Sequence, residues 1–97
     1  MIIYLILNLI NDKTYVGQTT RTLKERKRDH ICISKNSKYI HPLYCSMRKY
    51  GIENFRFIEI TTAKNQEELD ELERTFILAF DSANFKFGYN IDLGGIM

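Results

Sequence analysis

Hydrophobic residues open the chain almost without interruption, running from Ile2 through Leu7 to Asn8, with Leu9 and Ile10 beyond. Side chains alternate along a strand, so Ile2, Tyr4, Ile6 and Asn8 share one face while Ile3, Leu5, Leu7 and Leu9 share the other. Both faces are largely apolar, which predicts a strand buried on two sides at the centre of a sheet. Asn11-Asp12-Lys13 supplies short polar side chains suited to a turn, and Thr14 to Gln18 returns to β-favouring residues. The result is a hairpin. On its return arm Tyr15 and Gly17 point one way, and Gly17 is expected to leave a gap that admits a ligand or another backbone.

The period then changes. Thr22-Leu23-Lys24-Glu25 reads as a capping box, and along the helix it starts Leu23, Arg26, His30 and Ile33 recur on one face. An arginine on such a stripe is either an ion pair with its stem along apolar surface or a functional group. Ser34 to Tyr39 is loop-like. His41-Pro42 opens a second helix that Gly51 ends, with Leu43, Met47 and Tyr50 inward and Arg48 and Lys49 in the last turn. Asn54 to Ile60 alternates as a third strand pairing with the first, Phe55, Phe57 and Glu59 facing opposite to Arg56, Ile58 and Ile60.

A cap at Asn65 predicts a third helix over Gln66–Phe80 that buries Leu69, Leu72, Phe76, Ile77 and Phe80. Glu67, Asp70, Glu71 and Arg74 project away, whereas Glu73 falls inside the apolar arc. A carboxylate there is paired, protonated or coordinating a cation, or else it reaches solvent at the edge of the stripe. Phe85 to Ile91 is expected to be a short strand or extended segment closing the core, followed by a flexible exit at Gly94-Gly95. The pattern as a whole predicts an α+β fold: a small three-stranded, mostly antiparallel sheet flanked by three helices.

Composition narrows the setting. Ninety-seven residues, 44% of them hydrophobic, accommodate a single domain over residues 1–97 with one modest core. The apolar opening is too short to span a bilayer and no basic region precedes it, so neither a membrane anchor nor a secretory signal is expected. Cys32 and Cys45 lack metal-ligand spacing, and a reducing, cytoplasmic compartment is expected. Net charge is only +2, but Arg21, Lys24, Arg26, Lys27 and Arg28 fall close together while Glu67, Glu68, Asp70, Glu71 and Glu73 gather elsewhere. These runs read either as solvated helix faces or as a phosphate-binding patch with an acidic counterpart.

Taken together, Ile2-Ile3-Tyr4, Tyr15-Val16-Gly17, Arg26 and His30 four apart on a helix, Glu73 in Glu-Arg-Thr-Phe-Ile, and Gly88-Tyr89-Asn90 resemble the catalytic domain of the GIY-YIG nuclease family. The likeness covers nearly the whole chain. The Leu-Tyr-x-x-Met-Arg-Lys-Tyr-Gly helix and the Gly-Tyr-Asn-Ile ending look most like phage and intron homing endonucleases. Two departures stand out. Ile2 occupies a position that is usually glycine, and the place where some homing members carry a histidine falls at Lys38, with His41 slightly later and given no firm role.

The resemblance implies a metal-dependent endonuclease acting on double-stranded DNA in a bacterial or phage-infected cell. Glu73 would anchor one Mg²⁺ or Mn²⁺, Arg26 would contact the scissile phosphate, and Tyr4 and Tyr15 would position or deprotonate water, with the identity of the base left open. His30 would relay a proton or orient a tyrosine, and Asn90 would hold the site together. Gly17, Arg21, Lys24, Lys27 and Lys38 are the positions expected against DNA. A separate recognition region or a transient dimer would serve double-strand cutting. The alternative is a catalytically silent nucleic-acid-binding or assembly module on the same fold.

Overall fold

The structure, a computed structural model, describes residues 1–91, and the Gly94-Gly95 exit lies outside them. Strand β1 (Ile2–Asn8) is central, flanked by β2 (Thr14–Thr19) and β3 (Phe55–Thr62), both antiparallel to it in the order β2-β1-β3. Helices α1 (Leu23–Ser34), α2 (Pro42–Tyr50) and α3 (Gln66–Phe80) complete the fold, with a 3₁₀ turn at Ile52–Asn54 leading into β3. This is the expected α+β architecture.

The two-sided hydrophobicity of β1 has a direct structural consequence. Tyr4 and Ile6 pack with Leu43, Met47, Phe55 and Tyr89, with Leu23 and Ile31 of α1 against them. Ile3 and Leu5 pack on the other face with Val16, Leu69 and Ile77, so α3 covers the side opposite α1 and α2. Within this frame several positions depart from the predicted pattern. Leu9 lies past the end of β1 and is exposed, and Phe80, at the last turn of α3, is 41% exposed. The register slips between Ile3 and Tyr4, where Tyr4 pairs with Glu59 but Ile3 pairs with Thr61. Ile60 packs with the α3-side cluster while Ile58, on the same face of β3, stays exposed.

The helix termini form as their sequences dictate. Thr22 Oγ1 accepts from the Glu25 amide at 3.2 Å and the Glu25 carboxylate accepts from the Thr22 amide at 3.3 Å, closing the capping box. His41 caps α2 by accepting from the Leu43 amide at 3.1 Å, and Pro42 takes the first helical position. Arg48 does more than offset a dipole. Its guanidinium donates to the carbonyls of Ser34, Asn36 and Tyr39 at 3.0, 3.2 and 2.9 Å, binding the α1–α2 loop to the end of α2.

The C-terminal segment is not a full strand. It makes a single parallel bridge between Thr14 and Gly88, with Thr14 N donating to Phe87 O at 3.1 Å and Tyr89 N to Thr14 O at 2.8 Å. Phe85 and Phe87 face solvent, and Tyr89 is the aromatic that enters the core. Its hydroxyl meets Ser46 at 2.6 Å and accepts from Asn8 Nδ2 at 2.9 Å, while Asn8 Oδ1 accepts from the Ile10 amide at 2.9 Å. Asn8 is fully buried, so this cluster satisfies a polar side chain that would otherwise be costly at the end of the central strand. Asn8→Ala strips partners from both Tyr89 and Ile10 and should lower stability by about 2–3 kcal/mol in urea unfolding. A loss below about 0.5 kcal/mol would show that the cluster does not tie the C-terminal segment down.

Candidate active site

Register fixes the first two site residues. Tyr4 pairs with Gly17 across the hairpin and Ile6 with Tyr15, which places both tyrosines on the α1–α2 face. Gly17 leaves no opening for a ligand: a Cβ there would strike the Tyr4 ring and hydroxyl, so the space a side chain would fill is occupied by the phenol. The expected gap is therefore corrected to a seat for Tyr4. Tyr4 is fully buried, whereas Tyr15 is partly exposed.

Helix α1 supplies the next two groups. The capping box sets the helix start, and from it Arg26 and His30, one turn apart, project toward the hairpin. Arg26 Nε donates to Tyr4 Oη at 3.2 Å, and Tyr4 Oη lies 2.6 Å from His30 Nε2. The other histidine nitrogen, Nδ1, lies 2.9 Å from Tyr44 Oη of α2. His30 is also ringed by aromatic edges, with Tyr15 at 5.8 Å between centroids and Phe57 at 6.2 Å.

Burial favours the neutral forms of Tyr4, His30 and Tyr44. Burial pulls His30 down to about 3, and the Arg26 charge adds to the fall while Asp29 opposes it. Burial likewise pushes Tyr4 well above the ordinary tyrosine range, reinforced by Tyr15 and opposed by Arg26. Tyr44 is raised for the same first reason. Arg26 keeps 27% of its side chain exposed, with Nη1 3.9 Å from Asp29. With Nε committed to Tyr4, its terminal nitrogens are the part of the fork available to an anion.

Asn90 acts on the backbone. Its Oδ1 accepts from Val16 N and its Nδ2 donates to Val16 O, both at 2.9 Å, so the carboxamide takes the place of a peptide group beside edge strand β2. Val16 lies between Tyr15 and Gly17, and Asn90 thereby fixes the strand that presents them.

The remaining expected positions are more dispersed. Glu73 is partly buried on α3, on the same helical row as buried Leu69 and Ile77, and thus belongs to the helix on the opposite face from Arg26. It is not the sole inward acid. Asp70, expected to project outward, is buried, and its Oδ1 accepts from Gln18 and Gln66 at 2.9 and 2.7 Å. Polar groups on β2 and the first turn of α3 compensate the burial that the helical arc alone disfavours. Arg21 is ion-paired with Asp29, while Lys24 and Lys38 are exposed and Lys27 lies 5.4 Å over the Phe57 ring.

Two residues without an assigned role join the cluster. Tyr44 contacts His30, and His41 stacks edge-on to both Tyr15 and Tyr44 at 5.9 Å. The sequence held one usable signal for them: they sit three apart across the α2 N-terminus and so share a face at its first turn. Among the described residues no group of three or more His, Cys, Asp or Glu side chains is arranged to hold a metal. An ion bound at Glu73 would therefore complete its shell with water and phosphate oxygens, an arrangement that suits Mg²⁺.

Comparison with known proteins places this geometry. A family model described as the GIY-YIG catalytic domain matches residues 1–90. An uncharacterized protein, 019R, of Invertebrate iridescent virus 6 is 36% identical over 94 residues, spanning 91% of this chain and 32% of that protein. The chain thus spans about a third of the length of this curated relative. A solved structure of the catalytic domain of intron endonuclease I-TevI, in an alanine-for-glutamate mutant, superposes with a TM-score of 0.79 at 25% identity, covering 98% of this chain and 96% of that one. With the family match extending across both the tyrosine hairpin and the asparagine that braces it, this chain belongs to the GIY-YIG family.

Proposed function

We propose that this chain is the catalytic domain of a divalent-metal-dependent DNA endonuclease of the homing type. The observation that carries the reading is the contact of Arg26 and His30 with one tyrosine oxygen, beside a second tyrosine that is partly exposed. Family membership and likeness to an intron endonuclease support it.

The residues divide the work of phosphodiester hydrolysis. Arg26 presents its terminal nitrogens to the scissile phosphate and offsets the charge that grows on its oxygens, with a charge that persists at any working pH. Tyr15, the tyrosine with access to solvent, orients the attacking water and, once its own phenol proton has gone to solvent and the phenolate is stabilised by the nearby Arg26 charge, accepts the proton of that water. Tyr4 and His30 stay out of the solvent and hold Arg26 in place. Asn90 holds β2 so that Tyr15 keeps its distance from the arginine. Glu73 would hold the single Mg²⁺ or Mn²⁺, which when bound supplies Lewis-acid stabilisation of phosphoryl and leaving-group oxygens. Exposed Lys24, Lys27 and Lys38 contribute sequence-independent attraction to the DNA backbone.

Supercoiled plasmid should be nicked in Mg²⁺ and left intact in chelator. Glu73→Ala should still fold, checked by its circular dichroism, and should cut at least about a hundred-fold more slowly. Undiminished nicking by that variant would remove Glu73 from the metal site. With a net charge of +2, the domain alone should bind duplex DNA no tighter than about micromolar and lose affinity steeply with salt. Nanomolar, sequence-selective binding in a titration would refute that.

The network also predicts a pH dependence. His30 has an ordinary value of 6.5 when unfolded and about 3 when folded, so below 6.5 the unfolded chain takes up the proton first. Stability should be full above that value and decline as pH falls toward 3, by at most about 1.4 kcal/mol per pH unit from this group. In urea unfolding at stepped pH, His30→Gln should flatten the acid slope. Parallel slopes for parent and variant would mean that His30 is not buried in its neutral form.

A further inference from the structure

His30 is gripped at both ends, and the direction of each hydrogen bond can be worked out. Arg26 Nε–H donates to Tyr4 Oη at 3.2 Å, since a guanidinium can only donate. Tyr4 Oη is therefore an acceptor in that bond, and its own hydrogen must go to the other neighbour, His30 Nε2 at 2.6 Å. The opposite assignment would aim a second donor at the same oxygen. It would then leave the hydroxyl hydrogen of a fully buried side chain without an acceptor among the described residues, a costly arrangement.

Nε2 is thus bare, and a neutral imidazole with bare Nε2 carries its proton on Nδ1. The partner of Nδ1 is Tyr44 Oη at 2.9 Å, which accepts it. Three bonds run in one direction, from Arg26 through Tyr4 and His30 to Tyr44. They link α1 to β1, return to α1 and end on α2. The groups facing the imidazole are Tyr4 of β1, Tyr15 of β2, Arg26 and Asp29 of α1, His41 and Tyr44 of α2, and Phe57 of β3. Of these, Tyr44 is the one whose oxygen meets Nδ1.

We propose that Tyr44 is a positioning residue: by accepting the Nδ1 proton it fixes the His30 tautomer and, through Tyr4, the orientation of the Arg26 guanidinium. Its hydroxyl lies two hydrogen bonds from the arginine-bound oxygen and need not touch DNA. Without it, the Nδ1–H of a buried histidine has lost its acceptor, and the proton shifts to Nε2. Nε2–H then competes with Arg26 Nε–H for the Tyr4 oxygen, and the guanidinium loses its fixed anchor. The tautomer link stands on hydrogen-bond geometry alone, whereas its effect on cleavage rests on the nuclease reading.

Two measurements test the proposal. Long-range ¹H–¹⁵N correlation spectra of the parent at neutral pH should show His30 as the Nδ1–H tautomer, and Tyr44→Phe should move it toward Nε2–H. Plasmid nicking by Tyr44→Phe in Mg²⁺ should fall roughly five- to twenty-fold, with DNA affinity in Ca²⁺ unchanged. Tyr50→Phe, on the same helix but outside the cluster, should alter neither. An Nε2–H tautomer in the parent overturns the proposal even if the variant fails to fold, and so does an unchanged tautomer in a folded Tyr44→Phe. If the parent cuts no DNA, the nuclease reading falls, and the tautomer comparison still decides the link from Tyr44 to His30.

Discussion

The hydroxyl of Tyr4 is the point on which the site depends. One oxygen, fully excluded from solvent, is bound by an arginine and a histidine that both come from α1. Its position is set by two backbone facts rather than by side-chain preference. The hairpin register puts Tyr4 opposite residue 17, and glycine at that residue leaves room for the ring to lie across β2. A larger side chain at residue 17 would push the phenol away and release Arg26 and His30 together. The glycine of the second motif and the tyrosine of the first are in this sense one structural unit, split across the two arms of a hairpin.

The same economy appears at the C-terminal segment, which touches β2 at Thr14 through the backbone and at Val16 through the Asn90 side chain. A true strand there would have covered the edge of the sheet. A bridge followed by a carboxamide fixes the strand and leaves the neighbouring side chains unobstructed. Tyr89, one residue earlier, carries the segment into the core and hydrogen-bonds to Asn8 and Ser46. The cluster that stabilises the fold and the contact that steadies the site are therefore consecutive in sequence.

Much of this was legible in the residues alone. The two-sided apolar pattern of β1 gave the central strand, the capping box gave the start of α1, and the three-four spacing put Arg26 and His30 on its inward face. What escaped depended on contacts between elements. A helical wheel turns Asp70 outward because it carries no information about Gln18 of β2, which meets the carboxylate in the fold. The space at Gly17 looks open in sequence because alternation says which way a residue points but not what arrives from the next strand. Tyr44 stands in the Leu-Tyr-x-x-Met helix motif without a role that sequence can assign, because one hydroxyl on a mixed helix face becomes informative only when a histidine nitrogen is found 2.9 Å from it.

The division of the sheet into two faces bears on how a phosphate could be engaged. Arg26 and the phenols lie with α1 and α2, while Glu73 belongs to α3 on the other side. The central strand is covered on both flanks by β2 and β3, so groups from opposite faces can converge on one ligand only around an edge of the sheet. Strand β2 is the edge that carries Tyr15, and α3 is joined to it by the bond from Gln18 to Asp70. In the proposed reaction the nucleic acid would lie along that edge, with the arginine on one side of the scissile phosphate and the metal-bearing carboxylate on the other. In that arrangement the Asn90 brace on Val16 would keep Tyr15, the next residue of β2, in place along the edge where the phosphate would lie.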